Sequence, residues 1–155
     1  MQASKFEEVT GALMGASRAL LAVAARSLAV ASDDVTLPQF RALVVLAGVG
    51  PQPSGALGEE LGVSASAVSR LCDRLVARDL VCRHPGDSRR EVMIDLTDTG
   101  RLLVDQVMQA RRKEIRRILA KVPEADRAGM VRALRAFSDA ARDVPDKDWT
   151  SGWTA

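Results

Sequence analysis

Residues Ser54–Thr97 read SGALGEELGVSASAVSRLCDRLVARDLVCRHPGDSRREVMIDLT, and this stretch decides the fold. A short amphipathic segment, Ser54 to Leu61, is stopped by Gly62 and restarted by Ser64, whose hydroxyl suits a helix N-cap. The next segment, Ala65 to Arg78, has a helical period. Val68, Leu71, Cys72, Leu75 and Val76 fall on one side, the core side, and Ser66, Ser69, Arg70, Asp73 and Arg74 on the other. Two β-prone runs follow, Leu80–Arg83 and Val92–Leu96, flanking a tip of turn formers, His84-Pro85-Gly86-Asp87-Ser88-Arg89-Arg90. The predicted order is helix, tight turn, helix, basic hairpin.

Upstream, Phe6 to about Ala31 is rich in Ala, Leu and Arg, with Val9, Leu13, Ala16, Leu20, Val23 and Ser27 at helical spacing. Glu7 and Glu8 fall in the expected first turn, where the helix dipole favours them. Ser32-Asp33-Asp34 breaks that helix. Thr36 then caps a second one, LPQFRALVVLAGVG, with Pro38 in its first turn, where a missing N–H is harmless. Downstream, Thr97-Asp98-Thr99-Gly100 opens a long helix to about Lys121, with Leu103, Val107, Ile115, Ile118 and Leu119 among its apolar positions. Its middle, Arg111 to Arg117, is strongly basic and reads first as a solvated face, second as a face toward phosphate or an acidic ligand. Glu124 opens a last helix to about Arg142, with Met130, Val131, Leu134 and Phe137 on its stripe; a tail with Trp149 and Trp153 follows.

The whole chain excludes several classes. Its 155 residues are 47% hydrophobic and 27% charged, as in a globular protein. No apolar run is read as long enough to span a bilayer, and MQASKFEEVT is unlike a signal peptide, so a cytoplasmic protein with no membrane partner is expected. The net charge of +2 neither demands nor excludes nucleic acid, because what matters is a local basic face. One His, no Tyr and no dense carboxylate cluster leave little for acid–base catalysis, so no enzyme and no cofactor is expected.

The layout is that of a winged helix-turn-helix: mainly α, with a small β-hairpin wing and terminal helices left to form a dimerisation lobe. A helix of this width fits the major groove of B-DNA. Its Ser side chains can donate or accept at base edges, and its Arg can make bidentate contacts to guanine. On the hairpin, Asp87 can hold Arg89 for the minor groove, whose potential attracts a guanidinium, and Arg90 can serve a phosphate.

Four features, in order, carry a resemblance to the MarR family (multiple antibiotic resistance regulators), bacterial winged-helix repressors: LPQFRALVVLA, LGEELGVSASAVSRLCDRLVARDLV, HPGDSRREVMIDLTDTG and two terminal helices. It spans about Phe6 to Arg142, so the chain is expected to be one domain. The winged helix-turn-helix covers about 37–97, dimerisation helices about 5–31 and 98–142, and a tail 143–155. The resemblance implies that Ser64, Ser66, Ser69, Arg70 and Arg74 face the major groove, with Asp87 and Arg89 as the wing pair; Ser54 and Arg90 complete the expected DNA-facing set. Asp79 departs from the Gly that the family often places there, but Asp tolerates a left-handed backbone. The resemblance also implies a homodimer, through Val9, Leu13, Ile115, Ile118, Leu119, Val131, Leu134 and Phe137, on a pseudo-palindromic duplex. A small aromatic or phenolic ligand is expected in a crevice of Met14, Arg18, Leu37, Phe40 and Arg41, residues that also make a plain helix–helix core.

Two other readings stand beside it. In a thiol switch, Cys82 would draw on neighbouring Arg83 and His84, whereas Cys72 lies on the buried face of its helix. The peroxide-sensing branch of the family has its reactive Cys in the first helix, where this chain has none. In a protein-assembly module without an operator, the outer helix face would be acidic; Arg70 and Arg74 oppose that, and Asp73 keeps it open. Cys82, Arg83 and His84 supply too few ligands for a metal.

Overall fold

The computed structural model describes residues 2–88 and 91–141; Arg89, Arg90 and the tail 143–155, with Trp149 and Trp153, lie outside them. In order, the elements are α1 (Gln2–Ala31), α2 (Leu37–Val49), β1 (Gln52–Pro53), α3 (Ser54–Leu61), α4 (Ala65–Val76), β2 (Val81–Pro85), β3 (Val92–Leu96), α5 (Asp98–Leu119) and α6 (Glu124–Ala140). The mainly helical winged helix-turn-helix expected from the sequence is what forms.

Local chemistry sets the boundaries. Thr36 caps α2 in a reciprocal box: its hydroxyl accepts from the Gln39 N–H, while the Gln39 side chain accepts from the Thr36 N–H at 2.9 Å. Gly62 ends α3 at φ 67, a left-handed conformation that favours glycine, and Ser64 caps α4 by accepting from the Ala67 N–H at 3.3 Å. Asp79 also adopts the left-handed region, at φ 56, as anticipated where glycine is absent. Two threonines secure it there. Thr97 donates to the Asp79 carbonyl, and Thr99 donates to its carboxylate at 3.2 Å.

The sheet is antiparallel with strand order β1-β3-β2, pairing Gln52 with Ile94 and Val81 with Leu96. Strand β2 begins one residue later than expected and runs on through His84 and Pro85, which the sequence placed in the tip. Proline is tolerated there because β2 is an edge strand and owes no N–H on its outer side. The core gathers Leu43 and Leu46 of α2, Leu57 of α3, Val68, Cys72 and Leu75 of α4, Val81 and Ile94 of the sheet, and Val104 and Val107 of α5. Burying each such side chain contributes roughly 1.5–3 kcal/mol. Val76 was expected on this side but is 38% exposed. Residues 68, 72 and 75 define a narrow buried arc, and one residue beyond Leu75 turns the side chain about 100° away from it.

Helix α1 begins four residues earlier than expected, so Glu7 and Glu8 fall in its second turn and its first turn carries no acid. By length and composition alone its residues Ser4–Ala31 could cross a membrane, which corrects the reading that no apolar run is that long. The helix runs along α5, buries Val23, Ser27 and Leu28, and is clasped by Arg26, which donates to Glu114 at 3.0 Å. Glu114 also accepts from Arg117 at 2.9 Å, and hydrogen bonds from Arg117 and then Arg26 hold its carboxyl below the usual carboxylate range. Helix α6 buries none of its residues, leaving Met130, Val131, Leu134 and Phe137 in an open apolar stripe.

Candidate nucleic-acid interface

Helix α4 is strongly two-sided. Val68, Cys72 and Leu75 are at most 2% exposed, which locks the rotation of the helix about its own axis. The opposite face therefore presents Ser66, Ser69, Arg70, Asp73 and Arg74 to solvent. Ser64 is partly committed, since its hydroxyl caps α4 and lies 3.2 Å from that of Ser66. Among the described residues, neither Arg70 nor Arg74 has a carboxylate at ion-pair distance, so both guanidiniums are available to an outside partner. Ser54 sits half-buried at the first turn of α3, at the end of β1.

The wing carries Asp87 exposed at its bend, where the Gly86 N–H donates to the Glu91 carbonyl at 2.8 Å. The Asp87–Arg89 pair and the Arg90 contact lie outside the described residues. Sequence reasoning connected Arg83 only with its neighbours Cys82 and His84, but Arg83 reaches back to α4 and donates to Asp73 at 2.6 Å. The single acid amid the basic residues of α4 was the signal that such a partner existed. Cys82 is exposed, and Cys72 is fully buried with its thiol pushed up by burial, partly opposed by the charge of Arg83.

The residues expected to line a ligand crevice are divided by the structure. Leu37 and Arg41 share a hollow of about 370 Å³ with Pro38, Leu61, Val63 and Leu71. Phe40 turns instead into the core, 2% exposed, with the Arg111 guanidinium 5.6 Å from its ring centre. Arg111 thus leaves the solvated face on which its basic run was placed; burial lowers its pKa, and its Nε has no hydrogen-bond partner among the described residues. Met14 and Arg18 are exposed on α1. Of the expected dimer residues, Val9, Ile118, Val131, Leu134 and Phe137 are exposed, and Leu13, Ile115 and Leu119 are half-buried.

Known proteins share this arrangement. Residues 33–90 match the model of the MarR family. The chain is 29% identical over 108 residues to the HTH-type transcriptional repressor NicR of Pseudomonas putida, the match covering 68% of each chain. It is 44% identical to RV1404 of Mycobacterium tuberculosis, whose crystal structure superposes with a TM-score of 0.83 over 90% of this chain and 95% of that one. The wild-type MarR structure from E. coli is 25% identical, with a TM-score of 0.66 over 81% and 93% of the two chains. The chain belongs to the MarR family of transcriptional regulators.

Proposed function

We propose that the protein is a cytoplasmic, homodimeric repressor that binds a pseudo-palindromic duplex and is released by a small aromatic or phenolic ligand. The observation that carries this reading is the outer face of α4, where Ser66, Ser69, Arg70 and Arg74 stand exposed on a helix whose other side is fixed in the core. Serine and arginine at that spacing suit base edges in the major groove, with the N-terminal turns of the helix entering first. NicR is itself named a transcriptional repressor, which supports the sign of the response.

The dimer reading rests on the exposed stripe of α6 and the outward residues of α1, Phe6 and Val9, which are 73% and 57% exposed. Exposed apolar stripes of this kind call for a partner, and a second copy joined by a two-fold axis would place two α4 helices about one DNA turn apart. Leu134→Asp in the middle of the α6 stripe is expected to convert the dimer to a monomer in sedimentation. A sedimentation coefficient unchanged from wild type would remove α6 from the interface.

Selection of bound duplexes from a random pool tests the function. Enrichment of two inverted half-sites spaced by about one helical turn, roughly 10 base pairs, is the expected outcome. A pool without any enriched sequence after repeated rounds would refute the proposal.

A further inference from the structure

The one acid on α4 stands in the middle of its basic outer face, and the residue that answers it lies ten positions later, on the wing. Arg83 Nη2 donates to Asp73 Oδ1 at 2.6 Å, joining β2 to α4. Asp73 follows Arg70 by three residues, a spacing at which an acid and a base on a helix meet. Left alone, the Asp73 carboxylate is therefore the nearest intrahelical partner for Arg70. In the structure it is engaged by Arg83, and Arg70 has no acidic partner among the described residues. Stability gives little reason for this pair. Its side chains are 38% and 58% exposed, and water screens an ion pair so placed until it contributes almost nothing to folding.

We propose that Arg83 is a positioning residue for DNA reading: by holding Asp73 it keeps that carboxylate off Arg70 and cancels a negative charge that would otherwise face the phosphates. The inference rests on α4 being the helix that meets DNA. A duplex carries one negative charge for roughly every 1.7 Å of its axis, so an unmatched carboxylate on the approaching face repels it, and a captured Arg70 cannot reach a base. Arg83 thus acts through Asp73 and needs no contact with DNA.

Arg83→Gln, Asp73→Asn and the double variant separate the possibilities when titrated in full-length protein against the duplex enriched by selection, across a series of salt concentrations. Arg83→Gln is expected to bind about tenfold more weakly, because a like-charged group now meets the phosphates. Asp73→Asn is expected to bind at least as tightly as wild type, and adding it to Arg83→Gln should restore most of the lost affinity. All three should melt within about 2 °C of wild type, since the pair is exposed. A double variant as weak as Arg83→Gln, with a salt slope shallower by about 0.9, would mean that Arg83 itself holds a phosphate and would overturn the proposal. A single Asp73→Asn as weak as Arg83→Gln would overturn it too, making the pair a mechanical tether. If wild type discriminates its duplex and Arg83→Gln binds equally well, this inference fails and the regulator reading stands. If wild type discriminates no sequence, both fall.

Discussion

Arg70→Ala is expected to weaken binding to the selected duplex by between about 5- and 150-fold, the effect of losing one bidentate arginine–guanine contact of about 1–3 kcal/mol. The expectation follows from geometry. Val68, Cys72 and Leu75 fix the orientation of α4, so Arg70 cannot turn inward, and no carboxylate among the described residues holds it back. A contact of this kind reads one base pair. The loss should therefore be confined to duplexes carrying the preferred base at one position, and Arg70→Ala should bind a duplex altered there no worse than wild type does. Anisotropy titrations against a panel of single-base variants measure this. An equal loss against every duplex, with the salt slope reduced by about 0.9, would instead make Arg70 a phosphate contact.

The second large effect concerns the joint between wing and α5. Gly100 lies buried in the first turn of α5, and a Cβ built on it would collide with the Leu80 carbonyl oxygen and sit 3.2 Å from Leu96 Cδ2. Neither neighbour can yield easily. The Leu80 carbonyl accepts from the Thr97 N–H at 3.2 Å, and the Gly100 N–H is itself held by the Thr97 hydroxyl at 3.0 Å. Gly100→Ala is therefore expected to cost about 3 kcal/mol through overpacking, lowering Tm by about 6–12 °C at fixed protein concentration. Helix propensity alone would favour Ala by about 1 kcal/mol, so the sign of the change decides between the two effects. A Tm equal to or above wild type would show that the joint opens readily.

These two residues also mark where the sequence was legible and where it was not. The helix-turn-helix could be read because its signals are local: a Gly that ends one helix, a Ser that caps the next, and an amphipathic period between Ala65 and Val76. Asp79 and Thr36 were legible for the same reason, each being a backbone demand met by a nearby side chain. What escaped depends on tertiary contact. Strand β1 is two residues long, includes Pro53 and exists because β3 passes beside it. The Arg83–Asp73 pair spans two elements, and the turn of Phe40 beneath Arg111 needs α2 and α5 to be packed first. The open stripe of α6 was legible as an apolar surface without cover, since a period of exposed Val131, Leu134 and Phe137 exists whether or not a partner is present.

The ligand crevice is the part least determined by local signals, because its expected members came from two separate helices, α1 and α2. Two of them, Leu37 and Arg41, line one hollow behind α4, and Phe40 belongs to the core with Arg111 above it. The release proposed above would have a specific place to act. That hollow is lined by Leu71 of α4, so an occupant there would press directly on the helix proposed to read DNA.

The central claim, that the outer face of α4 reads a defined sequence, is tested most directly by the ratio of two affinities measured at one salt concentration. The protein should bind the duplex enriched by selection at least about 10³-fold more tightly than a random duplex of equal length, at roughly 0.15 M salt. Equal affinity for the two would contradict the account.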